Sequence, residues 1–190
     1  MRRDGFGGTE GNELLTSTTA VALVGLLVAE GITVVHMRGL VGAHMFIGLV
    51  LIPPVLVKLG STGYRFLRYY GGSRAYREKG PPRLALRVLA PVLVGATIAV
   101  LASGVLLLAT GHKARTLLEI HKVSFVVWGV VFGVHFLAYV PRVVRSLSNA
   151  WSATPRVPGT GLRSTLVVAA GGGGVALAVA LLPAIQSWHA

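Results

Sequence analysis

The chain has 190 residues, of which 53% are hydrophobic and only 13% are charged, whereas a soluble domain carries roughly 25% charged residues. Its mean hydropathy is +0.70, and the apolar residues form long unbroken runs. It contains no cysteine, which excludes disulfides, cysteine-ligated iron–sulfur clusters and covalent c-type haem attachment. Any metal or cofactor must therefore be held by other side chains.

Five apolar runs are long enough to cross a membrane. They cover residues 14–35, 39–57, 88–110, 117–140 and 164–186, and crossing the hydrocarbon core takes about 20 residues in a helix. The remaining stretches are too short for a separate soluble domain. The sequence therefore predicts an all-α integral membrane protein with five transmembrane helices. The predicted organisation is a tail over 1–13, a four-helix bundle over 14–140, a loop over 141–163, and a fifth helix with the C-terminal end over 164–190.

The formal net charge of +12 is distributed unequally between the two sides of the predicted membrane. Fourteen basic residues lie on the side of the N-terminal tail and four on the other: Arg2, Arg3, Lys58, Arg65, Arg68, Arg74, Arg77, Lys79, Arg83, Arg87, Arg142, Arg145, Arg156 and Arg163 against Arg38, Lys113, Arg115 and Lys122. The positive-inside rule then predicts a bacterial cytoplasmic membrane protein with a cytoplasmic N-terminus and an extracytoplasmic C-terminus. The basic residues are expected to contact anionic lipids on the cytoplasmic side, and we expect no nucleic-acid partner.

Three segments carry local signals along the chain. Pro53-Pro54 removes ladder hydrogen bonds and predicts a kink in the second span. The segment 61–83 interleaves tyrosines with arginines, which is typical of a segment in the headgroup layer. The run Gly171–Gly174 is tolerated in a membrane helix where a neighbouring backbone or a flat ligand presses close.

The six histidines are not spread evenly across the predicted membrane. Five fall in its outer half and one in its cytoplasmic half, namely His36, His44, His112, His121 and His189 against His135. His44 and His121 each lie about one turn into a span that enters from outside, so the two imidazoles share one depth. A polar side chain at that depth is unfavourable unless it is paired or coordinated. The histidines at the span ends, His36, His112 and His189, are expected only to form interfacial hydrogen bonds.

A second histidine follows His121 on the same predicted helix. His121 and His135 are fourteen residues apart, about 1400° of helix, so they share a face at a separation of roughly 21 Å. One histidine near each membrane surface is an arrangement that holds two haems across a bilayer. Lys58 follows His44 by the same fourteen residues. It is therefore a candidate inner ligand as a neutral amine, although it can equally extend to the interface or pair with a haem propionate. His135 itself is either a ligand or a structural residue.

These residues carry a resemblance to a known family. HMRGLVGAHMFIGL around His44, and LEIHKVSFVVWGVVFGVHFLAYV around His121 and His135, resemble the four-helix membrane cytochromes b, which include formate-dehydrogenase gamma subunits and hydrogenase-associated cytochromes b. The stretch LVKLGSTGYRFLRYYGG is similar to small actinobacterial membrane proteins of this type. The resemblance covers the first four spans. In that family the inner haem takes its second ligand from a histidine near the cytoplasmic end of helix one or two, and this chain has none there.

The resemblance implies a four-helix haem-binding bundle with the fifth helix packed outside it. It also implies transmembrane electron transfer by b-type haem with His44 and His121 as axial ligands, while a second haem involving His135 and Lys58 stays open. The chain resembles no flavin, nicotinamide or molybdenum site, so we expect an electron-transfer subunit rather than a stand-alone catalyst. Its expected partners are quinone and a redox protein.

Glu30 and two alternative functions complete the sequence-based hypotheses. Glu30 lies at the outer level of His44, where it can bond the far nitrogen of a ligand imidazole, accept a proton from a quinol, or stay protonated beside a helix neighbour.

One alternative function is a non-redox membrane scaffold or accessory subunit. The other is a divalent-metal site built from His36, His44, His112 and His121, since imidazole suits zinc and copper.

Overall fold

The computed structural model describes residues 8–80, 84–111, 114–152 and 158–189. The described chain is helical, with five long helices, α1 (Gly8–Val35), α2 (Met37–Tyr70), α4 (Leu84–Thr110), α5 (Arg115–Ser152) and α6 (Thr160–Ala180). Three short elements are α3 (Arg74–Glu78), α7 (Leu182–Gln186) and a 3-10 helix at Ser187–His189. Each long helix contains a stretch long and apolar enough to span a membrane. The prediction of an all-α chain with five spans is confirmed.

Several helices extend beyond their predicted bounds. Residues 8–13 of the predicted tail belong to α1, α2 continues to Tyr70, and α5 passes Pro141 to reach Ser152. Residues 58–70, which follow the second predicted span, and residues 141–152 of the predicted loop are therefore helical. Hydropathy marks where a helix leaves the hydrocarbon, not where its hydrogen-bond ladder stops. At 34 residues, α2 is about 51 Å long, well beyond the roughly 30 Å hydrocarbon core.

The irregular backbone of α2 lies near its beginning. Leu40 has non-helical dihedral angles (φ −123°, ψ 20°), whereas Pro53 and Pro54 lie inside the helix with helical dihedral angles. A single residue, His36, connects α1 to α2. The chain therefore reverses direction within a few residues, and the non-helical residue Leu40 lies in the first turn after this reversal.

Four of the long helices occupy the corners of a square. The pairs α1–α2 and α4–α5 form two antiparallel hairpins, and the hairpins meet where α1 packs on α5 and α2 on α4. Along their described residues, α2 and α5 pack mainly against other helices rather than against each other. They therefore lie on a diagonal of the square, so side chains from these two helices meet only across its interior.

The fifth long helix, α6, packs against one side of this arrangement. It packs on α2 and α1, and its contact with α2 is close enough that a Cβ atom on Gly174 would overlap the main-chain oxygen of Val50. A Cβ on Gly171, Gly172 or Gly173 would have no neighbour within 4 Å among the described atoms. Of the four glycines, only Gly174 is therefore required for the close approach of α6 to the α2 backbone.

The buried core lies between α2, α6 and the C-terminal segment. Leu49, Val50, Ala178 and Ile185 form one cluster of buried apolar side chains. Ile185 comes from α7, which follows the end of α6 at Ala180. The C-terminal segment thereby covers the part of α2 that directly follows His44.

Candidate functional site

Two of the predicted site residues meet inside the four-helix square. The rings of His44 on α2 and His121 on α5 have centroids 6.2 Å apart and an interplanar angle of 77°. Because α2 and α5 are diagonal, the two rings reach toward each other across the interior from opposite corners. Both side chains are partly buried. The structure thus brings together the pair of histidines for which the sequence predicts a common depth.

A carboxylate on α1 fixes the ring of His44. Oε1 of Glu30 lies 2.9 Å from Nδ1 of His44, and the side chains of His44 and Glu30 are 21% and 13% exposed. The hydroxyl of the buried Thr33 lies 2.6 Å from the main-chain oxygen of Glu30 and 3.3 Å from both Glu30 Oε2 and His44 Nδ1. With an ionised carboxylate as acceptor, Nδ1 carries the proton and Nε2 keeps its lone pair.

A neutral set of groups on α4 fixes the ring of His121. Its Nδ1 lies 3.0 Å from the main-chain oxygen of Val100 and 3.0 Å from Oγ of Ser103, and Ser103 donates its own proton to the main-chain oxygen of Ala99 at 2.6 Å. A carbonyl oxygen only accepts, so Nδ1 of His121 carries the proton and Nε2 is unprotonated in the neutral ring. Gly104 leaves room for the ring, because a Cβ there would lie 3.2 Å from its Cε1 atom.

The two rings therefore present equivalent, unused nitrogens. Among the described residues no hydrogen bond is made by Nε2 of His44 or of His121. A metal–nitrogen bond of about 2.0–2.1 Å on each side of one ion places two imidazole centres roughly 6 Å apart, which matches the 6.2 Å separation. An ion with two protein ligands needs its other ligands from a non-protein group, as in haem. The separation of the two rings is thus compatible with two imidazoles on one metal ion, as in a bis-histidine haem.

Of the remaining outer histidines, His36 does not join this pair. Nδ1 of His36 lies 3.1 Å from the main-chain oxygen of Ile32 in an exposed position, which agrees with the interfacial role expected for it. His112 lies outside the described residues, and so does the side chain of His189. Across the parts of the chain that are described, no group of three or more His, Cys, Asp or Glu residues could hold a metal ion.

The inner residues His135 and Lys58 have different surroundings. Nδ1 of His135 is buried and has no hydrogen-bond partner in the described chain, and its ring stacks on Tyr139 with centroids 4.9 Å apart. The Nζ atom of Lys58 donates to the main-chain oxygen of Thr16 at 2.8 Å. Lys58 therefore ties α2 to α1, whereas His135 retains an unsatisfied polar atom.

Lys58 belongs to a polar cluster that sequence reasoning missed. Ser61 is buried and accepts a hydrogen bond from Thr16 Oγ1 at 3.1 Å, while Asn12 Nδ2 donates to the Ser61 main-chain oxygen at 3.2 Å. Asn12 lies in the segment 1–13, which the sequence predicts to be a tail. Because residues 8–13 are helical, the Asn12 side chain reaches α2, and the cluster joins the first turns of α1 to α2.

A stack of aromatic rings on α5 extends from one turn after His121 to the level of His135. Phe125, Trp128, Phe132 and Phe136 follow one another with centroid separations of 6.2, 4.7 and 5.6 Å. Their spacing of three or four residues places them on one helix face. The Trp128 Nε1 atom donates to Thr97 Oγ1 on α4 at 3.1 Å. This hydrogen bond fixes the stack against the neighbouring helix.

Comparisons of the chain with protein-family models, curated proteins and solved structures find no match. The resemblance to the membrane cytochromes b therefore stays a prediction from the sequence. A functional proposal has to rest on the side-chain geometry of the histidine pair and its neighbours.

Proposed function

We propose that this chain is a membrane b-type cytochrome that transfers single electrons, with one haem b held between His44 and His121. The observation that carries the proposal is the pair of imidazoles from diagonal helices, each with its Nδ1 proton bonded outward and its Nε2 lone pair unused. Bound haem supplies one-electron iron chemistry, and histidine at both axial positions favours electron transfer over oxygen chemistry.

The residues around the pair orient the two rings. Glu30 and the Val100 carbonyl each hold an Nδ1 proton, which selects the tautomer whose Nε2 atom can bind a metal and fixes the plane of the ring. A negative carboxylate also stabilises positive charge at the His44 side, whereas the Val100 and Ser103 oxygens at His121 are neutral. The two ligands of the proposed site are therefore electrostatically different.

The proposed partners of the cytochrome follow from its expected place in the membrane. A haem protein without a substrate site exchanges electrons with other carriers, and a lipid-soluble quinone and a partner oxidoreductase are the carriers available to a chain with almost all its mass in the membrane. The uneven distribution of basic residues supports an orientation with the N-terminus in the cytoplasm. In this orientation the histidine pair lies in the outer half of the membrane.

One observation favours a second, inner site. The buried Nδ1 atom of His135 has no partner among the described residues, and a buried unsatisfied nitrogen is uncommon in native proteins. No comparable observation favours Lys58 as a ligand, because its amino group is bonded to Thr16. The proposal is therefore for one haem, with His135 as the residue to test for another.

A visible spectrum and a metal determination on the purified wild-type protein test the proposed function. Haem gives a Soret band and a reduced α band, together with iron. A divalent-metal site gives bound metal without these bands, and a non-redox scaffold gives neither. The first result supports a cytochrome, and either of the others overturns it.

A further inference from the structure

A pocket lies at the basic end of α2, far from the histidine pair. It has a volume of ≈ 400 Å³ and is lined by Tyr64, Leu67, Arg68, Gly71, Gly72 and Ser73. Ten residues of helix, about 15 Å, separate Lys58 from Arg68. Because α2 is longer than the hydrocarbon core is thick, its last turns extend into the layer of lipid headgroups and water.

The charged group of this pocket is the guanidinium of Arg68. Its Cζ atom lies 6.0 Å from the ring centres of both Tyr64 and Tyr76, and the two rings pack edge to face at 6.1 Å. Tyr76 is 7% exposed, so α3 holds its ring in place. Cation–π contacts orient the guanidinium but leave its five N–H donors unused. No described residue offers an oxygen acceptor to the Arg68 side chain.

Several neighbouring cations differ from Arg68, because they have oxygen acceptors within the chain. Three such pairs are Arg74 with Glu78, Lys79 with Glu13, and Arg87 with the hydroxyl of Tyr70. Their charge is directed at protein oxygens. The donors of Arg68, in contrast, are oriented by rings and available to an oxygen that the chain does not supply.

Two further polar groups stand at the rim of the pocket. Ser73 precedes α3, but its hydroxyl makes no capping hydrogen bond. Gly72 has a φ of +88°, which turns the chain from α2 into α3 and favours glycine. The Nη2 atom of Arg77 lies 3.6 Å from the position that a Cβ of Gly72 would take, so glycine also lets a second guanidinium approach.

We propose that this pocket binds a phosphate group, with Arg68 as the main contact and Arg77 and Ser73 at its rim. Guanidinium groups match the oxygens of a phosphate through paired, charge-assisted hydrogen bonds. The phosphate comes from an anionic phospholipid headgroup or from free phosphate, and the two sources share this chemistry. Leu67 and the Tyr64 ring line the same pocket and suit the apolar part of a lipid. The proposal does not depend on haem.

The test uses the full chain in a neutral detergent. Short-chain phosphatidylglycerol, short-chain phosphatidylcholine and inorganic phosphate are each titrated, and binding is followed by native mass spectrometry and by the thermal unfolding midpoint, which a ligand of the folded state raises. The key variant is Arg68→Gln. Arg65→Gln is its matched control, because it removes the same charge one turn earlier on α2 and Arg65 has no ring contact among the described residues.

We expect saturable binding by the wild type and by Arg65→Gln, and binding about tenfold to a hundredfold weaker in Arg68→Gln, the range for hydrogen bonds to a charged group. Competition by inorganic phosphate identifies free phosphate as a ligand, and binding of phosphatidylglycerol alone identifies the lipid. Either result supports the proposal. Equal binding by all three proteins, or no saturable binding, overturns it. If Arg68→Gln unfolds in detergent, Arg77→Gln replaces it, with an expected loss of severalfold.

Discussion

Replacing Glu30 with glutamine removes a negative charge beside His44 and keeps an oxygen that accepts the Nδ1 proton. In the structure this oxygen lies 2.9 Å from Nδ1, and both side chains are mostly buried. A carboxylate next to an axial ligand stabilises ferric haem more than ferrous haem, because the ferric form carries one more positive charge. We therefore expect Glu30→Gln to raise the midpoint reduction potential of the haem.

The size of this change follows from Coulomb's law. A metal–nitrogen bond, the width of an imidazole ring and the 2.9 Å hydrogen bond together place the carboxylate roughly 7 Å from a metal bound at Nε2. Two unit charges at that distance interact by about 2.4 kcal/mol at an effective dielectric constant near 20. Since a tenfold change in a one-electron equilibrium is about 59 mV, the expected increase is about 100 mV. Screening by water reduces it, so we expect a shift between about 60 and 100 mV.

The assay is a potentiometric titration of the haem-loaded protein, followed at the reduced α band. Ser103→Ala is the matched control on the other ligand, because it removes a neutral group 3.0 Å from His121 Nδ1 while the Val100 carbonyl still accepts the proton. We expect the midpoint potential of Ser103→Ala to stay close to that of the wild type. We expect Glu30→Asp, which keeps the carboxylate, to have a potential closer to the wild type than that of Glu30→Gln. An unchanged or lowered potential in Glu30→Gln, with haem retained, would refute the electrostatic reasoning.

Three further predictions address packing, the inner residues and topology. Gly174→Leu places a side chain against the α2 main chain, and we expect a loss of about 1–3 kcal/mol, measured as a lower unfolding midpoint in detergent. Gly172→Ala, where a Cβ meets no neighbour within 4 Å, should leave the midpoint nearly unchanged. The purified wild type, His135→Ala and Lys58→Met should each contain one haem per chain. A wild type with two haems, and a His135→Ala variant with one, would instead establish an inner site. A reporter fused after Ala190 should give an extracytoplasmic signal, and a cytoplasmic signal would overturn the proposed orientation.

The histidine pair could be anticipated from the sequence, but only half of its surroundings could. Glu30 stands out as a carboxylate in an apolar run, so its contact with a histidine at the same level is a natural expectation. Val100 contributes a main-chain carbonyl, a group that every residue has and that no side-chain pattern reveals. It reaches His121 because α4 and α5 form a hairpin, which is a property of the packing.

The existence of the spans was also predictable, whereas their ends were not. Apolar runs report which residues are stable in hydrocarbon, and this fixes the number of long helices. The segments after Lys58 and after Pro141 contain arginines and other polar residues, yet they continue as helix. Polar side chains are solvated at the membrane surface without any break in the backbone hydrogen bonds. The proposed phosphate pocket is lined by residues at the end of this helical extension of α2. Hydropathy alone does not predict the extension, so the pocket could not be predicted from the sequence.

The absorption spectrum of single histidine variants tests the central claim most directly. Haem content and the low-spin spectrum are compared in the wild type, His44→Ala, His121→Ala and His36→Ala. We predict that the first two variants lose haem or its low-spin bands, because each removes one of two axial ligands, and that His36→Ala, whose ring bonds only to its own helix, keeps the wild-type spectrum. A wild-type spectrum in His121→Ala would contradict the proposed haem site.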